Sequence, residues 1–159
     1  MKKTLIALFA LGTAILMSAS AWAQQPPPYG TPITLEQAMK AAAAARAEMK
    51  KNNWSQVIAV VEPSGALVYL ERDGAQYGSI GIAQNKAITA AVYRRPSKAF
   101  QDRLGQNDLS LLTLGQGLTA SEGGVPIIVG GKLIGAIGVS GGTSAQDGQV
   151  AQAGVNAVK

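Results

Sequence analysis

The chain has 159 residues, a formal charge of +5, no cysteine and no histidine. Those two absences exclude disulfides, cysteine-ligated clusters and thiol nucleophiles, and they remove the commonest general base and metal ligand. The one basic cluster, Arg94, Arg95, Lys98 and Arg103, is too small to track a phosphate backbone, so nucleic acid is not indicated as a partner.

Lys2 and Lys3 precede an apolar run from Leu5 to Met17, and Ala21 and Ala23 frame an A-x-A site before Gln24, the pattern of a secretory signal peptide over residues 1–23. The run is shorter than the roughly 20 residues of a spanning helix, which argues against a retained membrane anchor and for a periplasmic or secreted mature chain. Removal would leave 159 − 23 = 136 residues, enough for one domain, and a charge of 5 − 2 = +3. Residues 24–32 are rich in proline and glutamine and read as a disordered or extended linker, with a single domain over 33–159.

A first helix is expected from Thr34, which has Gln37 at capping-box spacing, to about Asn52, with Leu35, Ala38, Met39, Ala42, Ala45 and Met49 recurring at helical spacing. Val57–Glu62 and Ala66–Arg72 read as strands joined by Pro63-Ser64-Gly65. Ile82–Tyr93 reads as a helix ended by Pro96, Ser97–Leu104 as a short second one, and Leu109–Leu114 as a further turn. Val125–Val129 and Lys132–Ser140 flank Gly130-Gly131, a pair suited to a two-residue hairpin turn, and Thr143 or Ser144 caps a final helix. The order α-β-β-α-α-β-β-α implies an antiparallel sheet with packed helices, an α+β domain.

Residue chemistry alone leaves several alternatives open. The turn Ser140-Gly141-Gly142-Thr143 suits either an anion held by helix N-terminal amides or a strand-to-helix connection with unusual backbone angles. Gly130-Gly131-Lys132 is not a phosphate loop, because Leu133 follows the lysine and a strand follows where a helix is needed. Glu122 and Asp73 are the best-placed carboxylates, yet nothing in the sequence pairs them for acid/base work.

The stretch Gly123 to Asp147, GGVPIIVGGKLIGAIGVSGGTSAQD, closely resembles the signature of the haem-binding and haem-degrading HbpS and GlcG-like proteins, a family that also includes the C-terminal domain of some corrinoid adenosyltransferases. Asp73-Gly74-Ala75, Ala83 with Lys86-Ala87 and Thr89-Ala90, and Arg95-Pro96-Ser97 resemble the family's middle motifs in the same order. One departure is Gly148, where an acidic residue is common. The resemblance implies a profilin-like fold and a haem or related tetrapyrrole ligand, with a corrinoid as the alternative. On that reading Arg94 and Arg95 pair with propionates or merely close a helix, and Lys86 faces the ligand or covers apolar surface with its stem. Gly123, Gly124 and the Ser140-Gly141-Gly142 turn would border the ligand.

Without histidine or cysteine, the axial candidates for iron are Tyr69, Tyr77, Tyr93 and Thr119, with Tyr93 and Thr119 preferred; Met39 and Met49 read as core. Three functions remain in view: haem binding with possible degradation or redox sensing, a non-enzymatic module acting through a homo-oligomer or an envelope sensor or transporter, and a structural oligomer without ligand.

Overall fold

The computed structural model describes residues 25–115 and 117–158. The expected leader lies outside the described residues. Helix α1 (Leu35–Lys51) is followed by strands β1 (Val57–Val61) and β2 (Leu67–Arg72), helices α2 (Gly78–Val92) and α3 (Lys98–Gly105), a 3₁₀ turn (Leu109–Thr113), strands β3 (Gly124–Val129) and β4 (Lys132–Ser140), and helix α4 (Ser144–Asn156). The α+β architecture is the expected one. The four strands form one antiparallel sheet in the order β2-β1-β4-β3, so each hairpin is local and the hairpins meet through β1 and β4.

The sheet is covered on both faces, which is why β1 and β4 read as nearly unbroken apolar runs rather than alternating ones. Ile58, Val60, Ile137 and Val139 face α1 and α4, packing on Ala38, Ala42, Ala45, Met49, Val150 and Ala151. Val57, Ala59, Val61 and Ala136 face α2, where Ala83, Ala87, Ala90 and Ala91 let the helix sit close. The approach is so close that a methyl group on Gly138 would lie 2.1 Å from the Ala83 carbonyl oxygen.

Thr34 with Gln37 and Thr143 with Gln146 both form complete capping boxes, and Gly130 and Gly131 both take positive φ in the β3–β4 turn. Three expectations are corrected. Met49 is core, but Met39 is 50% exposed, because the buried face of α1 runs through Ala38, Ala41 and Ala45 instead. Helix α2 begins four residues before Ile82, at Gly78; packing of Ser79 and Ala83 in the interior outweighs the low helix propensity of two glycines. The proline-rich segment is extended but bound as a strap: Leu133 N–H donates to Pro28 O (2.9 Å), and Gly30 N–H donates to Leu133 O (2.7 Å). Tyr29 adds a hydrogen bond from its hydroxyl to Val92 O (3.0 Å).

Candidate functional site

Lys86 lies on the sheet-facing side of α2 and is only 2% exposed. Its Nζ donates to Asp147 Oδ2 at 2.7 Å, while Asp147 Oδ1 accepts from Gln56 Nε2 at 2.9 Å and from the Gly142 amide at 3.0 Å. Burying two charges is costly, and this geometry offsets the cost because both carboxylate oxygens are engaged. The arrangement answers two open questions. Lys86 serves an internal partner rather than a ligand, and the Gly142 amide of the glycine-rich turn already holds an anion, Asp147 itself. Thr143 N–H is likewise taken by Gln146 Oε1 (2.9 Å). Ser140 is buried in the sheet opposite Val57, whereas Gly141 is exposed, although a methyl on it would lie 2.6 Å from Ser55 O.

One layer further out is a groove. Gly123 covers the ion pair: the Cβ position of residue 123 lies 3.0 Å from Lys86 Nζ. Gly123 and Gly124 then floor a 430 Å³ pocket with Lys98 and Glu122 at its sides, sharing Pro96 and Gln152 with a larger open groove of 1170 Å³. The larger groove runs along the outer edge of β3 past Pro126 and Ile128. Arg94, Arg95 and Ala99 form one wall, Val155 of α4 another, and Pro26, Pro27 and Pro28 of the strap a third.

Arg94 has a left-handed backbone (φ 53°), a position just after α2 where glycine would be less strained. Its side chain explains its presence there: Nη1 donates to Pro27 O (3.3 Å) and the guanidinium lies 5.0 Å from the Tyr29 ring centre. Arg94 thereby fastens the strap to the groove wall. Arg95 is exposed, with its guanidinium 5.9 Å from the Phe100 ring centre. Lys98 is paired with Asp102 at 2.6 Å.

The axial candidates are scattered. Tyr69 points to α1, where its hydroxyl donates to Glu71 (2.8 Å). That bond and burial both push the Tyr69 phenol up, away from the phenolate that binds iron. Tyr77 is 79% exposed at the start of α2, under the Arg72 guanidinium at 4.6 Å. Tyr93 packs edge-on against Phe100 (5.1 Å between ring centres) and does not line the groove. Thr119 donates its amide to Thr89 Oγ1 (2.8 Å), which pins its loop to α2 rather than to the groove.

One contributor escaped the sequence reading, and the place of another, Glu122, was not legible in it. Asp147 was visible only as part of a helix start, though a lone lysine on an alanine face already called for a buried acid. Glu122 lies over the first turn of α4, so that a methyl on Gly148 would sit 2.5 Å from Glu122 Oε1. A side chain at residue 148 would therefore meet the Glu122 carboxylate. Among the described residues there is no cluster of three or more acidic side chains that could hold a metal ion, and no helix is long and apolar enough to cross a membrane.

Residues 33–156 match the family model described as haem degrading protein HbpS-like. The chain belongs to the HbpS-like family. Within that family, Protein GlcG of Escherichia coli (strain K12) is 44% identical over 113 residues, covering 69% of this chain and 84% of that protein. A crystal structure of HbpS superposes with a TM-score of 0.75 at 33% identity, over 82% of this chain and 92% of HbpS. The structure of a PduOC–haem complex shares the fold, with a TM-score of 0.74 at 22% identity over 81% of this chain and 96% of that one. The signature stretch that marks an HbpS-like chain is thus the same stretch that builds the groove floor and closes over Lys86 and Asp147.

Proposed function

We propose that this HbpS-like chain binds haem in the groove along the outer edge of β3. The observation that carries the reading is the union of one exposed arginine, Arg95, with a wall of proline and aliphatic side chains in a single elongated groove. A planar apolar macrocycle with anionic propionates matches that division, and a forked guanidinium is suited to carboxylates. The outer edge of β3 is also unsuited to strand addition over Gly124–Pro126. Val139 N–H donates to Gly123 O, so bonding parity turns Gly124 and Pro126 outward; Ser97 takes both main-chain groups of Gly124, and Pro126 has no N–H to offer.

The groove's fit is to the porphyrin rim and face rather than to a strong iron ligand, because neither Tyr93 nor Thr119 lines it. Any redox chemistry would come from the iron, with the chain supplying orientation and partial exclusion of water. Binding without autonomous catalysis is therefore the primary function we assign. Haem degradation or sensing, and export of the mature chain to the periplasm to meet an envelope sensor or transporter, extend the proposal.

Titration of the purified chain with haemin tests it. A saturable Soret shift at one haem per chain is expected, weakened about tenfold by Arg95→Glu, equivalent to about 1.4 kcal/mol. An unsaturable spectrum, or equal affinity in the variant, overturns the assignment; a preference for cobalamin over haemin favours the corrinoid alternative. Bleaching of the saturated sample by peroxide faster than free haemin supports degradation, and the mass of chain recovered from a periplasmic fraction tests removal of residues 1–23.

A further inference from the structure

The smaller pocket beside the groove has a chemistry of its own, and it does not depend on the haem reading. Gly123, Gly124 and Gly148 line it with bare main chain, and Pro96 and Val125 add apolar surface. Its polar side chains are Lys98, Glu122, Gln149 and Gln152. Glu122 is partly buried and lies over Gly148 of α4, with its own amide fixed by donation to Gln101 Oε1 (2.7 Å). Among the described residues, no donor hydrogen-bonds to either oxygen of the Glu122 carboxylate. Gln149 donates from Nε2 to Glu48 Oε1 (2.6 Å) and Gln152 from Nε2 to Asn156 Oδ1 (2.9 Å), and neither Glu48 nor Asn156 lines the pocket. Both carboxamides therefore turn their donors elsewhere and keep their oxygens as unengaged acceptors.

We infer that this pocket binds a small primary alkylamine in its protonated form. Three acceptors, one of them charged, answer the three N–H donors of an alkylammonium, and the bare floor and apolar surface take a short aliphatic stem. A partly buried carboxylate without a partner is costly, and such a ligand removes that cost. The positive end of α4 does not oppose a cation here, because the amides of Gly142, Thr143 and Gln146 are already held by Asp147, Gln146 and Thr143. Lys98 is the resident competitor, but it is turned to Asp102 (2.6 Å). That hydrogen bond foremost, and the charge of Glu122 more weakly, push the Lys98 ammonium above its ordinary value. A divalent metal matches less well, since a single carboxylate faces the pocket and no cluster of three acidic side chains occurs among the described residues. At 430 Å³ the space has the size of a small-molecule site.

Titration of the haem-free chain with n-butylammonium, followed by amide NMR, tests the inference. Saturable shifts centred on Gly123, Gly124 and Gly148 are expected, with n-butanol and butyrate giving none. Glu122→Gln keeps the side chain's shape, removes its charge and should weaken binding about tenfold or more. Gly148→Ala sets a methyl 2.5 Å from Glu122 Oε1 and should weaken binding severalfold by displacing the carboxylate, while alanine's better helix propensity keeps the thermal midpoint near that of wild type. Lys98→Met removes the competing cation and should tighten binding. The absence of saturable shifts, equal affinity in Glu122→Gln, or butyrate binding as tightly as n-butylammonium overturns the inference. Nα-acetyl-lysine amide carries the same head group on a main chain and should bind more weakly; tighter binding would overturn the assignment to a free amine in favour of a polypeptide lysine. None of these outcomes bears on the haemin titration.

Discussion

At the β3 edge, Ser97 satisfies Gly124 and Pro126 withholds a donor, whereas at the β2 edge Leu70 and Arg72 present their main-chain groups to whatever lies alongside. The same sheet therefore ends in a rim sealed at Gly124 and Pro126, bordering a groove, and in an open rim whose outward main-chain groups find no partner among the described residues. The seal is built from inside: α2 approaches Gly124 directly, Gly123 covers Lys86, and Asp147 holds the turn from which α4 starts. The open rim rests instead on one partly exposed ion pair, Arg46 with Glu71. Substitutions at the sealed rim should thus disturb the fold more than those at the open rim.

The largest test of that contrast is Asp147→Asn, which keeps the side chain's shape but leaves the Lys86 charge buried without its counter-ion. A loss of about 3–5 kcal/mol in chemical denaturation is expected. A loss below about 1 kcal/mol would mean that the interior pair does not support the rim. Gly124→Ala comes next, because its methyl would lie 2.1 Å from the Lys86 carbonyl oxygen and 3.0 Å from Ser97 Oγ. Forcing α2 and the Ser97 loop apart should cost about 1–3 kcal/mol and speed amide exchange in β3; unchanged protection there would break the link between helix approach and seal.

The smallest effect belongs to the β2 rim. Burial pushes the Glu71 carboxyl up, but hydrogen bonds from Arg46 and Tyr69 outweigh it and hold the group below its usual range. A depressed folded value stabilises the chain above the unfolded carboxyl's pKa, and that contribution is lost as pH falls through the lower, folded value. Glu71→Gln should lower stability near neutrality by under about 1 kcal/mol, since Arg46 is partly solvated. The difference from wild type should shrink in acid. A gap that persists unchanged at low pH would assign the effect to packing.

The elements were legible because their signals are local: both capping boxes, the Gly130-Gly131 turn and the apolar runs of β1 and β4 each lie within a few residues. The site was legible only where it coincides with such signals, at Gly123, Gly124 and Arg95. Lys86 and Asp147 are separated by α3 and the whole second hairpin, and no local pattern reports their contact. The strap escaped for another reason. Proline reads as a breaker, yet Pro28 needs only its carbonyl to join β4, and Tyr29 supplies the anchor that a flexible linker lacks.

The sheet order has a kinetic consequence. Each hairpin closes over a short loop and can form early, but the central seam joins Val57 to Ser140, across most of the described chain. Closing that long intervening loop, with α2, α3 and the 3₁₀ turn carried inside it, should be the slow step of folding. Until it is complete, β1 and β4 each have an exposed inner edge, and the time spent in that state sets how readily one chain's hairpin can be captured by another's.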